Sequence, residues 1–272
     1  MNIVVTIKQV PEDPGAVKIN RETNTLVREG IPCIVNPYDL FAIEEALRIR
    51  ESLQKAGART RITVITMGPP QARSVLEEAI AMGVDNGILL SDRAFAGADV
   101  LATSYTLGKG IRKMEMVSGE TIDLVICGRQ STDGDTAQVG PELAEFLGIP
   151  HVARVFAIDE IDASGARVRR RSDEGYETIQ VDLPALFTVD KGINQPRVTS
   201  LKGMMRARKA DIPTWGASDI GAEPDRIGLS GSPTKVVRIF SHEKSHKARL
   251  LQGSPEEVAH ELAEVIRKAL SS

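Results

Sequence analysis

Short apolar runs rich in β-branched residues recur along the chain at residues 2–7, 61–67, 86–90, 121–127 and 183–189. Continuous runs of this kind suit strands buried on both faces, the setting of a parallel sheet. Helical periodicity separates the first four. Leu40, Ile43, Ala46, Leu47 and Ile49 mark a long amphipathic helix ending near Ala56-Gly57. Val75, Leu76, Ala79 and Ile80 mark a second over 71–82, and Val100, Leu101, Ser104, Leu107 and Ile111 a third. Strand and helix alternate roughly every 25 to 35 residues, which restricts the chain to an α/β fold with a parallel, doubly wound sheet. Its 272 residues are enough to bury such a core.

Residues 123–141 show how one repeat is built. Leu124-Val125-Ile126-Cys127 is a strand closed by Gly128. A polar loop follows, Arg129 to Thr136. Val139, Leu143, Ala144, Phe146 and Leu147 then recur at helical spacing until Gly148-Ile149-Pro150. A strand–loop–helix junction of this type lies at the carboxyl edge of an open α/β sheet, where ligands bind. Free N–H groups and the positive helix end favour an anion there. Thr136 is placed either to cap the helix or to meet a phosphate, while Asp133 and Asp135 suit hydroxyl or amide recognition better than a bare phosphate. An ordinary capped βα turn and a nucleotide site both fit, because no GxGxxG or P-loop motif is present.

Other segments read less regularly. Pro11 and Pro14 hold the loop after the first strand extended, and 17–19 with 25–28 reads as a small hairpin. Asn36 is placed to cap a helix with Pro37 at its first position. Residues 91–99 form a second functional-looking loop. After Pro150 come short alternating strands at 153–159, 167–172 and 177–181, an antiparallel sheet edge with one wet face. Arg167, Arg169, Arg170 and Arg171 lie on it; a solvated strand face and a flavin- or partner-facing patch are the two readings. Residues 200–210 form a basic helix carrying Leu201, Met204 and Met205, and adjacent Met residues serve either as core filler or as an adaptable docking surface. Residues 211–232, rich in Gly, Pro, Ser and Asp around the one tryptophan, Trp215, read as an extended arm lying on a partner. A strand at 235–240 and a last helix follow, opened by Ser254-Pro255 and turning Val258, Leu262, Val265, Ile266 and Leu270 inward.

A net charge of −3 gives no argument for nucleic acid or an anionic membrane. Cys33 and Cys127 lie in apolar contexts and offer neither a disulfide framework nor metal-ligand spacing, so the expected compartment is the reducing cytoplasm. The first strand is too short for a signal peptide, and no apolar run approaches the ~20 residues of a membrane helix. The four histidines are scattered, and none is given a catalytic role.

In this frame seven motifs stand in order: VTIKQVP (5–11), NPYDLFAIEEALRIRE (36–51), MGPPQA (67–72), AMGVD (81–85), CGRQSTDGDTAQVGPELA (127–144), LPALFTVD (183–190) and INQPRVTSLKGMMRARK (193–209). Together they resemble the β subunit of electron-transfer flavoproteins, the FixA-like small subunit of a heterodimer. The resemblance implies a three-layer Rossmann-like domain at 1–210 and, at 211–272, a C-terminal arm, strand and helix packing on the α subunit. It implies an adenine nucleotide near Thr6, Asn36, Pro37, Tyr38, Asp39 and Met67, and along Asp133, Gly134, Asp135, Thr136, Ala137, Gln138, Val139, Gly140 and on to Ala144. Ordinary members hold AMP there; electron-bifurcating members hold a second FAD.

Three features resemble the bifurcating branch: DRAFAGADVLATS (92–104), VPEDPG (10–15) and DGDTAQVGP (133–141). They add Val10, Pro11, Phe95, Ala96, Gly97, Asp99 and Thr103 to the expected site. Small residues in the 92–99 loop would let main chain approach a pyrophosphate, which AMP lacks; a plain helix turn capped at Asp99 is the alternative. Val100 departs from the threonine expected of the branch. The function implied is bifurcation of electrons from NADH, one to ferredoxin or flavodoxin, the other through the α-subunit FAD to an acyl-CoA-type dehydrogenase. Leu201, with the Met204-Met205 helix, matches the family's recognition loop for the dehydrogenase; simple packing against the α subunit is the alternative. No acid, base or nucleophile is assigned, because the flavin supplies the chemistry. An AMP-stabilised structural subunit is the second reading, and a stand-alone nucleotide-binding module the third.

Overall fold

The apolar runs form the middle of a nine-stranded sheet. The structure is a computed structural model and describes residues 1–13, 18–20, 25–27, 30–235, 237 and 250–271. The first half contains β1 (Asn2–Thr6), β2 (Gln9–Pro11), β3 (Lys18–Asn20), β4 (Thr25–Val27), β5 (Cys33–Val35), α1 (Pro37–Lys55), β6 (Arg61–Met67), α2 (Arg73–Met82), β7 (Asn86–Leu90), α3 (Val100–Ser118) and β8 (Leu124–Gly128). The second half contains α4 (Val139–Leu147), β9 (His151–Ile161), β10 (Gly165–Ser172), β11 (Gly175–Asp182), β12 (Ala185–Val189), α5 (Leu201–Ala207), β13 (Thr214–Trp215) and α6 (Pro255–Leu270).

The strand order is β11-β10-β9-β12-β8-β1-β6-β7-β13. All neighbouring pairs from β9 to β13 are parallel, while β10 runs antiparallel to both β9 and β11, giving the expected antiparallel edge. Side chains alternate between two cores. Ile3, Val5, Leu124 and Ile126 pack with α1, α2 and α5; Val4, Val125 and Cys127 pack with α3 and α4. Alternation of one strand's residues into two helix layers is what makes the runs continuously apolar. From β1 the chain moves one way, through α1 to β6 and through α2 to β7. It then returns through α3 to β8 on the other side of β1. The carboxyl ends of β1 and β8 are therefore the topological switch point.

β3 and β4 pair as the expected small hairpin. Its turn, the expected strand at 235–240 apart from residues 235 and 237, and two histidines, His242 and His246, lie outside the described residues. β2 and β5 form a ribbon that the proline-rich reading of this loop did not anticipate; Pro11 lies opposite Cys33, and the next cross-ribbon bond runs from the Glu12 N–H to the Pro32 carbonyl (2.9 Å). In the β9–β11 edge, Arg167, Arg169 and Arg170 pair with Glu160, Asp159 and Glu177 across the strands. Arg169 and Arg171 also lie over the Phe156 ring, which stacks edge-on against Tyr176. These are part-exposed pairs worth under about 1 kcal/mol each, so the ladder and the aromatic pair hold the hairpin.

Two expectations require correction. Residues 211–235 do not lie apart as an arm. β13 adds to β7, and Ile212, Ile220 and Ile227 are buried in the two cores. The compact unit accordingly runs from Met1 to Val237. Low apolar density among Gly, Pro and Ser hid three widely spaced anchors. In the second unit, Arg238–Ser272, α6 opens with the full capping box of Ser254 and Glu257. Leu262, Val265, Ile266 and Leu270 are exposed rather than inward, because that unit's described residues contain no second helix or strand to cover them.

Candidate functional site

Hydrogen bonds gather the loops at the switch point. Asn36 stands at the head of α1 but does not cap it. Its Nδ2 donates to the Gln130 carbonyl (2.9 Å), its Oδ1 accepts from the Thr132 N–H (3.2 Å), and its own N–H donates to the Lys8 carbonyl (2.9 Å). The side chain thus binds the loop after β8 in place of its own helix, and Pro37 at the first helical position needs no cap. Asp39 lies within the first turn and is 5% exposed. Its Oδ2 accepts from the Lys8 N–H (2.7 Å) and its Oδ1 from the Gly128 N–H (3.2 Å). The Lys8 ammonium donates to Asp133 (2.6 Å) and Ser131 (3.4 Å). Tyr38 lies under the Lys191 ammonium, 4.5 Å from the ring centre.

Burial pushes the Asp39 carboxyl up to about 7, against the opposing pull of the Lys8 N–H, the Asn36 amide, the Gly128 N–H and the Lys8 charge. Burial and the adjacent Asp39 charge push the Cys127 thiol up to about 12, partly offset by its hydrogen bond with Thr6. Cys127 is therefore a neutral packing residue and no nucleophile.

The loop between β8 and α4 is exposed from Gly134 to Gln138. Asp135 and Ala137 both hold φ at +56°, a left-handed backbone that costs non-glycine residues of order 1 kcal/mol and concentrates at functional sites. The Gln130 amide bonds the Asp135 carboxylate, and the Asp135 N–H bonds the Ser131 carbonyl (2.9 Å). Thr136 is not the helix cap. Gln138 holds that position and makes no side-chain cap bond, so the first-turn N–H groups at Val139 and Gly140 face the loop without a side-chain acceptor. Uncapped N–H groups beside an exposed, strained loop make a polar cradle suited to an anionic or hydroxyl-rich ligand.

The other expected residues lie along the same carboxyl edge. Val10 and Pro11 are buried in β2. Met67 ends β6 opposite Leu90 of β7. The stretch at 92–103 is organised by residues 216–234. Phe95 is buried in the α3–α4 core. The Ala96 carbonyl accepts from the Leu229 N–H (3.0 Å), the Gly97 carbonyl from Ser232 Oγ (3.3 Å). Asp99 caps α3 by accepting from the Ala102 N–H (3.1 Å), and its other oxygen accepts from the Thr234 N–H and hydroxyl (3.0 and 2.8 Å). The Thr103 N–H bonds the Asp99 carbonyl. Gly97 packs against Leu229, and Gly228 lets its segment approach the Ala94 and Ala96 carbonyls, so the space beside this loop is filled by the chain itself. At the strand ends this stretch lies three positions from the 36–39 and 129–140 cluster, about 14 Å at ~4.8 Å per strand, but the next residue, Ser104, bonds the Val139 carbonyl (3.3 Å) where α3 packs on α4.

Sequence reasoning missed the Lys8–Asp133 pair, which removes the objection that Asp133 makes the loop acidic. Lys8 stands one residue after the first apolar run, a place where a cation at a carboxyl edge was available as a signal.

A second exposed feature lies on the α1–α2 face. The Arg206 guanidinium bonds the Ile80 and Val84 carbonyls at the end of α2, and Gly203 fits because a Cβ there would lie 2.1 Å from the Ala81 carbonyl oxygen. These contacts turn the other side of α5 outward: Leu201, Met204 and Met205 are 73%, 42% and 56% exposed. Exposure at this level excludes the core-filler reading.

An electron transfer flavoprotein domain is matched over residues 23–220. The chain is 45% identical over 259 residues to the electron transfer flavoprotein β subunit of Clostridium acetobutylicum, covering 95% of each. It is 45% identical over 269 residues to CarD, a caffeyl-CoA reductase–Etf complex subunit of Acetobacterium woodii, covering 98% of each. It is 42% identical over 276 residues to FixA of Azorhizobium caulinodans, covering 98% of this chain and 95% of that one. The chain belongs to the electron transfer flavoprotein family, among its β subunits of the FixA-like kind. No helix among the described residues is long and apolar enough to cross a membrane.

Proposed function

We propose that this chain is the FAD-bearing β subunit of an electron-bifurcating flavoprotein. It works with an α subunit in the cytoplasm and distributes electrons from NADH between ferredoxin or flavodoxin and, through the α-subunit FAD, an acyl-CoA-type dehydrogenase. The carrying observation is the strand order, which sets the 129–140 loop after β8, Lys8 after β1, Met67 at the end of β6 and the 92–103 turn after β7 along one carboxyl edge. A dinucleotide fills such a span, and AMP fills only its β8 end. The flavin supplies the hydride and electron chemistry when bound. The chain's own residues bind and orient it: the α4 N–H groups and the 134–138 main chain take polar groups, and Asn36 fixes that loop. The names of CarD and of the two FixA-type and β-subunit relatives support a redox complex.

One observation favours the AMP reading. The polar groups of 96–99 already bond to residues 229–234, which leaves the β8 end as the better-prepared half. Cofactor content of the purified αβ complex decides between them. Two FAD per complex is the expected result; one FAD with one AMP sinks the bifurcating proposal.

Docking is tested separately. The triple substitution Leu201→Ala, Met204→Ala, Met205→Ala is expected to slow electron delivery to the dehydrogenase by at least about tenfold, since buried apolar anchors contribute roughly 1 kcal/mol or more each at an interface. Flavin content should not change. An unaltered dehydrogenase-coupled rate would remove α5 from the docking surface.

A further inference from the structure

We propose that Asp39 is the positioning residue of the nucleotide site, a proton-sensitive staple whose two oxygens hold the loop after β1 and the carboxyl end of β8 at one spacing. The proposal rests on the nucleotide reading and adds how that site is regulated. Asp39 has no free oxygen to offer a ligand: Oδ2 takes the Lys8 N–H and Oδ1 the Gly128 N–H. Lys8 lies in the loop after β1 and Gly128 is the last residue of β8, where the 129–138 loop begins, so one carboxylate spans the switch point. Asn36 crosses the same gap with main-chain and amide bonds that carry no titrating proton.

The ionised form alone satisfies both donors. A protonated carboxyl has one good acceptor; the oxygen that carries the proton accepts poorly, so one of the two N–H bonds weakens and that segment is loosened. The groups facing Asp39 are the Lys8 ammonium, which is engaged by Asp133, and the Cys127 thiol, which is neutral. Neither supplies a direct ion pair to hold the charge. Burial pushes the carboxyl up to about 7, so the switch falls near neutrality. The folded state keeps a proton, over the window from the ordinary carboxylate range to about 7, that the unfolded chain has lost. Stability from this group is therefore full at low pH and declines as pH rises through that window. The fold favours the neutral form and the site needs the charged one.

The test is titration of the full-length, nucleotide-free chain with FAD, whose pyrophosphate does not titrate near neutrality. In the wild type, Kd should rise about tenfold between about pH 8 and about pH 6, the signature of one linked proton. Asp39→Asn offers one acceptor and one donor and so mimics the protonated state. Its Kd at pH 8 should be about tenfold weaker and flat with pH, while its urea midpoint at pH 8 is no lower than the wild type's. A merely structural role would lower the midpoint. Wild-type affinity in Asp39→Asn, a surviving pH slope in it, or a flat wild-type profile overturns the staple; the last needs no variant. If the wild type binds no FAD at any pH, the FAD reading fails instead. The staple is then judged by amide exchange: protection at Lys8 or Gly128 must fall from pH 8 to pH 6 in the wild type and be already low in Asp39→Asn, and equal protection in both proteins refutes it.

Discussion

Gly128→Ala is expected to destabilise the chain by about 3 kcal/mol and to weaken nucleotide binding at least about a hundredfold. A Cβ at this position would lie 2.4 Å from Asp39 Oδ1 and 2.7 Å from the Tyr38 carbonyl carbon and Cβ. The Asp39 oxygen is a side-chain end, though one pinned by the Lys8 and Gly128 N–H groups, but the two Tyr38 atoms are fixed by the helix backbone, so the first turn of α1 must lift from the sheet. Overpacking of this kind costs roughly 1–3 kcal/mol, and stripping a buried carboxylate of a hydrogen-bond donor costs a further 1–3. The lifted turn also carries Asn36, so the β8 loop loses its anchor at the same time. Urea denaturation and FAD titration check the two parts. A variant with a wild-type midpoint and a wild-type Kd would show that α1 does not set the site.

Arg197→Ala is expected to cost a similar amount, about 3 kcal/mol, without touching the nucleotide cradle. The guanidinium bonds Glu44 through Nε and Nη2 (2.8 and 3.0 Å) and Glu51 through Nη1 (2.8 Å). The Glu44 side chain is 7% exposed and Arg197 one-third exposed. Removing one partner of a buried pair costs roughly 3–5 kcal/mol, because an uncompensated charge remains; partial exposure of the arginine places this case at the lower end. Adding Glu44→Gln to Arg197→Ala should return more than half of the loss in thermal or urea denaturation. If the double variant is no more stable than the single one, the buried charge is not the cause. Residues 194–197 lead directly into α5, so dehydrogenase coupling should fall in the single variant while bound flavin is retained.

The sheet was readable because its strands are short, apolar and regularly spaced, and because helical periodicity between them is strong. The switch-point loops were readable for the same reason: once 2–7 and 124–127 are parallel strands, their carboxyl ends must lie together. The partners inside the site were not readable. Lys8 with Asp133 and Asp39 with Gly128 join positions about a hundred residues apart in sequence, and neither periodicity nor composition carries such pairing. Asn36 misled for a physical reason. Asparagine before proline is a good cap, but the Thr132 N–H takes the Oδ1 that would have accepted from the helix, while Nδ2 donates to the Gln130 carbonyl. The segment after 210 misled because three isoleucines spread over sixteen positions, Ile212, Ile220 and Ile227, anchor it as firmly as a dense apolar run would.

The placement of β13 has a consequence for how the chain folds as it is made. Its two residues cover the outer edge of β7: the Leu89 N–H bonds the Pro213 carbonyl and the Ser91 N–H the Trp215 carbonyl, both at 3.0 Å. β7 is complete long before Thr214 and Trp215 are synthesised. Through that interval a nascent chain presents an uncovered parallel edge, and its central strand β1 must also wait for β8. Loop closures of this length precede the contacts that reward them, so folding is slow and the open edge invites pairing with a second nascent chain. Chaperones that keep translating copies apart until residue 215 emerges should raise the yield of this protein.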